Sequence, residues 1–182
     1  MRHVSIFALV LSVLAASVLG VAQDTPAPEG TRVPEGNRAD LRDAPPRPGP
    51  GDVEERARVL LAAIVADDPA RAMDFFLPRE AFRAIKGIAD PDGLYDRIVR
   101  LYERDIHALH AQVPADAELV RFEFSRRRGW VGLREESNRL PYWAQRHNTI
   151  VYRTGGEERS FEVRTMIAWD GRWYITHLSE FR

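Results

Sequence analysis

The 182-residue chain contains no cysteine. Disulfides, thiolate zinc sites, iron–sulfur clusters, thiol nucleophiles and a lipid-modified N-terminal cysteine are therefore excluded from its chemistry. Lysine is almost as scarce. Of 26 basic residues only Lys86 is lysine, so Schiff-base chemistry has a single candidate, expected at the surface. The chain also lacks an excess of charge: 26 basic and 27 acidic residues give a formal net charge of −1. That balance withholds the basic surface with which a dedicated nucleic-acid binder displaces counterions. There is no G-x-S-x-G, no H-E-x-x-H, no Gly-rich phosphate loop and no internal repeat. No motif names a reaction, and no cofactor is implied. What is present is the composition of a folding domain, 45% hydrophobic and 9% aromatic.

The N-terminus reads as an address. Met1-Arg2-His3 is a short positive start, and residues 4–22 are apolar except for Ser5, Ser12, Ser17 and Gly20, the layout of a secretory signal peptide. Gly20 and Ala22 are the small residues before a cleavage ahead of Gln23; cleavage after Gly20 is the alternative. An uncleaved anchor helix is the competing reading, since about 20 apolar residues span a bilayer. No basic cluster follows the stretch and Asp24 arrives at once, which favours cleavage, an exported periplasmic or extracellular protein, and no stable membrane span afterwards. Residues 23–52 hold seven prolines, four glycines and no aromatic. Such a segment buries too little apolar surface to offset its ordering entropy and is expected to be a disordered, solvated linker. Its Ala44-Pro45-Pro46-Arg47-Pro48 run would also suit an aromatic groove in polyproline II form.

Residues 53–182 read as one domain. Asp52 with Glu55 three positions on suggests a capping box, followed by Val53, Ala57, Leu60, Leu61, Ile64 and Val65 on one helical stripe. Asp68-Pro69 and Asp90-Pro91 are start signals, Asp as cap and Pro at the first helical position. Between them Pro78 opens a short helix that Gly87 closes. The longest helix carries Leu94, Ile98, Leu101, Tyr102, Ile106, Leu109 and Val113 on one side, up to Pro114. The period then switches to alternation: Val120, Phe122 and Phe124 point one way, Arg121 and Glu123 the other. A basic turn, a return near Trp130 and an irregular stretch from 134 to 141 follow. Strands are expected over 144–153, 159–169 and 172–178, with Gly155-Gly156 and Asp170-Gly171 as two-residue hairpin loops. The fold class is α+β, N-terminal helices packed on a curved antiparallel sheet.

Helices followed by such a meander, ending in Trp169-Asp170-Gly171-Arg172-Trp173-Tyr174-Ile175, resemble the NTF2-like superfamily of α+β cones, many of whose members end in a W-x-G-x-W-x-I hairpin. The resemblance implies a cone with a pocket or a filled core, and includes isomerase- and dehydratase-type enzymes as well as non-catalytic pocket and dimerisation modules. It implies no single reaction. Four helical segments precede the sheet without an intervening strand, a departure that leaves the particular family open.

The hairpins predict a register. Ile167 faces Tyr174, Thr165 faces Thr176 and Val163 faces Leu178; on the opposite side Ala168 faces Trp173, Met166 faces Ile175 and Arg164 faces His177. Across the other hairpin Ile150 faces Phe161, Asn148 faces Val163 and His147 faces Arg164. Phe161, Val163, Ile167, Trp169, Tyr174 and Leu178 are then assigned to the core face. The outer face carries a His147–Arg164–His177 row with Glu162 diagonal to it. Two imidazoles, a carboxylate and a guanidinium can act as acid, base and anion holder; the bland alternative is a solvated cross-strand ladder. The apolar end of that outer face, Met166, Ala168, Trp173 and Ile175, calls for a cover, either the 130–143 segment or a second subunit in a homodimer. Glu103, His107 and His110 share a helix sector that could hold a metal, although three ligands from one straight helix rarely converge and no metal is assigned. Arg126-Arg127-Arg128 is a basic hairpin tip. Pro141-Tyr142-Trp143 with Trp130 is an aromatic patch.

Three functions compete. The first is an exported, non-catalytic domain that binds a small ligand or a protein of the cell envelope. The second is a small-molecule isomerase or dehydratase using the cone interior, with Tyr152, Thr165, Tyr174 and Thr176 lining the pocket. The register supplies no interior acid or base for it. The third is a dimerisation or scaffold module.

Overall fold

The computed structural model describes residues 32–179. They build three α-helices, α1 (Val53–Val65), α2 (Arg79–Ile85) and α3 (Pro91–His110), then five strands, β1 (Glu118–Glu123), β2 (Arg128–Val131), β3 (Tyr142–Thr154), β4 (Glu157–Trp169) and β5 (Arg172–His177). The expected α+β class follows from this segregation of helices from an antiparallel sheet. The strand order is β1-β3-β4-β5, with β2 also pairing β3, and the sheet is open.

The stripe on α1 buries Val53, Ala57, Leu60, Leu61 and Ile64, and α3 buries Tyr95, Ile98, Tyr102 and Ile106. The two tyrosines place their hydroxyls as well as their rings. Tyr95 donates to the Leu77 carbonyl at 2.9 Å and Tyr102 to that of Ala72 at 3.2 Å, tying the 3-10 segment Pro69–Phe75 and its exit to α3. Leu77 then donates its N–H to the Ile175 carbonyl on the free edge of β5 at 3.0 Å. Asp90 caps α3 as expected, accepting from the Gly93 N–H at 2.8 Å. Asp52 does not form the expected capping box. Its carboxylate instead meets Arg56 at 2.9 Å and Arg172 at 2.5 Å, because two guanidiniums outcompete a neutral backbone donor.

Both hairpins form at the expected loops. Gly155, Gly156, Asp170 and Gly171 all have positive φ, as a primed two-residue turn requires. Ile150 faces Phe161, Asn148 faces Val163, Ile167 faces Tyr174, Ala168 faces Trp173 and Met166 faces Ile175. Beyond Met166 the register departs from expectation. A β-bulge slips it by one, so Thr165 faces His177 rather than Thr176, and Arg164 donates its N–H to the Leu178 carbonyl at 3.2 Å. The expected pairs Arg164–His177 and Val163–Leu178 do not form. A bulge inserts one residue into one strand and reverses the faces beyond it.

The second correction concerns the segment before Asp52. Expected to be a solvated linker up to that residue, its described part from Arg32 onward lies against the sheet instead. Asn37, 4% exposed, donates to the carbonyls of Pro141 at 2.9 Å and Ala168 at 3.2 Å. The indoles of Trp143 and Trp173 donate to the carbonyls of Pro45 and Gly49. This leader sits on the outer face beside Trp143, Ala168 and Trp173, and Met166, Ala168, Trp173 and Ile175 are all buried within the single chain. The exposed apolar surface from which a homodimer was expected is therefore already covered. The signal-peptide reading of residues 1–22 and the linker reading of 23–31 lie outside the described residues.

Candidate functional site

The bulge at the end of β5 creates the most distinctive site. Residues Thr165, Thr176 and His177 line a pocket of about 330 Å³ between the sheet and helices α2 and α3. Its wall is apolar: Leu77, Phe82, Ile85, Leu94, Ile98, Ala144 and Ile167. The remaining lining is polar: Lys86, Glu136, Tyr142, Arg146, Thr165, Thr176 and His177. An apolar cleft with a few convergent polar groups is what a small-molecule site requires.

Three parts of the chain position those groups. Lys86 follows directly on α2, where its ammonium donates to the Glu136 carbonyl at 3.0 Å and to Asn138 Oδ1 at 2.8 Å. It is half-buried, against the expectation of a surface lysine, and burial lowers its pKa. The irregular stretch 134–141 brings Glu136 in. Arg134, Glu136 and Ser137 all have left-handed φ, which costs non-glycine residues energy and persists only when surroundings hold it. Here the loop is stitched to the end of α2: Gly87 N–H donates to the Ser137 carbonyl and Arg139 N–H to that of Ile85. The Glu136 carboxylate accepts from the Tyr142 hydroxyl and from Arg146, both at 2.8 Å. Burial, reinforced by the Glu136 charge, pushes the Tyr142 hydroxyl well above its usual range, so it remains a donor.

His177 is set by its neighbours. The Thr176 hydroxyl donates to the Thr165 carbonyl at 3.4 Å, and its oxygen lies 3.1 Å from His177 Nδ1. That pattern is the one in which Nδ1 carries the proton and donates to the threonine oxygen. Burial depresses the imidazole pKa, the Lys86 charge depresses it further, and Asp105 and Glu136 pull weakly the other way. The ring is thus a neutral acceptor near pH 7. Together the polar groups offer one more cation than anion, hydroxyl donors and a neutral base.

The expected His147–Arg164–His177 row is divided. His147, Arg164 and Glu162 do meet on the outer surface: His147 Nδ1 lies 2.7 Å from Glu162, and Arg164 lies 3.5 Å from the same carboxylate. Arg127 approaches the other imidazole nitrogen at 3.4 Å. Glu162 is exposed and His147 and Arg164 are half-buried, which makes the group a surface ladder of small energetic weight. His177 is not part of it. Of the expected pocket lining, Thr165 and Thr176 are in place, while Tyr152 packs on Phe161 and Tyr174 lies beneath Arg56. Of the expected aromatic patch, Trp130 and Trp143 do meet edge to face at 5.7 Å, Trp143 also contacting the leader, while Tyr142 turns away to line the pocket. On α3, His107 meets Asp67 at 2.5 Å and His110 meets the Ile64 carbonyl at 3.0 Å, so both bind the helix to the end of α1 and its exit. The sequence marks Lys86 only as a Schiff-base candidate and Tyr142 only as part of the aromatic patch, and it does not mark Glu136 or Arg146 as site residues. Only the interruption of strand alternation around 134–141 marked that region.

No protein-family model, curated protein or solved structure matches the chain. The pocket's own chemistry therefore carries the functional reading.

Proposed function

We propose that this chain is an exported, non-catalytic binding protein of the cell envelope, built as an NTF2-like cone, that holds a small amphipathic molecule between α2, α3 and the sheet. The observation that carries the reading is the inward turn of His177 by the β5 bulge, beside the half-buried Lys86, in a pocket whose other wall is aliphatic. The apolar body of such a ligand rests on Leu94, Ile98 and Ile167. Its polar group, a hydroxyl, carbonyl or carboxylate, takes hydrogen bonds from Lys86 and the Thr165 hydroxyl and donates to His177 where it has a proton. Burial is what makes these few polar contacts selective, since each unmatched group in the pocket costs desolvation. The charge–apolar layout of residues 1–22 supports export.

A second reading has a specific observation behind it. The interior base that the expected register lacked is supplied by His177, which favours an acid–base enzyme of the isomerase or dehydratase type over a scaffold module. Against it, Glu136 is already engaged by Tyr142 and Arg146.

Native mass spectrometry of the protein recovered from the periplasm of an expression host tests the proposal, together with the variants Leu94→Trp, which fills the pocket, and His177→Leu. A bound organic mass lost in both variants is the expected result. A bare chain, with no thermal stabilisation by a panel of small carboxylates, ketones and alcohols, would overturn it. A ligand that is chemically altered in a His177-dependent manner would move the assignment to the enzyme.

A further inference from the structure

On the other side of the sheet, the leader contacts follow a pattern of recognition. Trp143 on β3 and Trp173 on β5 flank β4, where the small Ala168 faces Trp173. Two indoles with a small residue between them form a groove. Their N–H groups donate to the carbonyls of Pro45 and Gly49, at 2.9 and 3.0 Å. Four residues of extended polyproline-type chain span about 12 Å, and two strand spacings span about 10 Å. A proline-rich segment crossing the strands thus presents its carbonyls at the spacing of the indoles. Proline has no N–H to leave unsatisfied on an apolar surface, and its carbonyls carry no internal hydrogen bonds, so an indole donor meets the one need such a chain has. Between the two anchors Arg47 places its guanidinium 5.8 Å from the Phe124 ring and 5.9 Å from the Trp173 ring.

We infer that this outer face is a recognition groove for proline–arginine segments, and that the chain's own Pro45-Pro46-Arg47-Pro48 run is its resident ligand, which a partner protein's segment of the same chemistry displaces. The leader defines the partner: an extended run with prolines two residues apart around an arginine, read by two indole donors and one aromatic pair. Because the competing leader is tethered, it acts at an effective concentration in the millimolar range. The groove therefore opens to a partner that is abundant, multivalent or better matched than the leader.

The absence of native cysteine permits a direct test on the full chain. Ala44→Cys, at an exposed position beside Pro45, carries a fluorophore whose anisotropy reports whether the leader is docked. The probe is a synthetic peptide with the sequence of residues 43–51. Anisotropy is expected to fall saturably as peptide is added. Arg47→Ala in the chain should lower the half-maximal peptide concentration about 2–5-fold, the worth of one cation–π contact. The same change in the peptide should raise it by a similar factor, and a peptide with alanine at every proline should leave the leader in place. Unchanged anisotropy with the native peptide, or an equal fall with all three peptides, would overturn the inference. So would a fall on raising protein concentration alone together with a dimer by sedimentation, which would make a second copy the occupant.

Discussion

Asn37→Ala separates a docked leader from a solvated one. The side-chain amide makes two good hydrogen bonds, to the Pro141 and Ala168 carbonyls at 2.9 and 3.2 Å, and accepts a longer one from the Asp170 N–H at 3.4 Å. A buried hydrogen bond contributes about 1 kcal/mol net, so losing the two good ones costs about 2 kcal/mol, the long contact being worth little. For a domain of this size each kcal/mol moves Tm by about 2–4 °C, and the expected drop is about 4–8 °C. Thermal unfolding followed by tryptophan fluorescence is the suitable assay, because Trp143 and Trp173 bear on the leader directly and their emission should shift red as it frays. Asp43→Ala, at an exposed position nearby, is the control and should stay within about 0.5 kcal/mol. Equal melting temperatures for Asn37→Ala and Asp43→Ala would refute the reasoning, since a free tether is indifferent to both.

Other perturbations bear on the core and the two polar clusters. Arg56 is 6% exposed, stacks on Phe75 and Tyr174, and donates to the Trp173 carbonyl at 2.6 Å; Arg56→Ala should cost about 3 kcal/mol in urea unfolding, and Arg56→Met clearly less, because methionine refills the apolar slot. The folded-state pKa of His177 lies below its unfolded value, so the unfolded chain binds the extra proton. Stability should accordingly be full above pH 6.5 and decline as pH falls from there towards the depressed folded pKa, and His177→Asn should remove that part of the slope in chemical denaturation. By contrast, His147→Asn and Glu162→Gln alter a partly exposed surface ladder and should each change stability by less than about 1 kcal/mol and leave pocket occupancy unchanged in native mass spectra. If either variant empties the pocket, the two clusters are coupled and the division drawn between them fails.

What could be read from the sequence, and what could not, divides along one physical line. Features set by residues close in the chain were legible: the Asp-Pro helix starts, the Gly-Gly and Asp-Gly turns, and the register for as long as each strand kept its period of two. The α+β order followed from these. The site depended on two places where that period breaks. A bulge has no composition of its own here, since Ile175, Thr176 and His177 are unremarkable strand residues, and its effect is to exchange the faces of everything after it. Unbroken alternation thus places His177 on the outer ladder and leaves the interior without a base. Glu136 was equally hidden, because a loop with three left-handed non-glycine residues takes its course from the α2 contacts that hold it rather than from local preference. The docking of the leader is hidden for a related reason. Composition correctly says that residues 23–52 cannot build a core of their own, but it is silent on whether another surface will accept them, and here paired tryptophans on β3 and β5 do. Both errors have the same form: a rule about what a segment does alone was applied where a second element decides. Proline in quantity therefore argues against self-folding and says nothing against being bound, which is why the described part of this leader belongs to the folded domain.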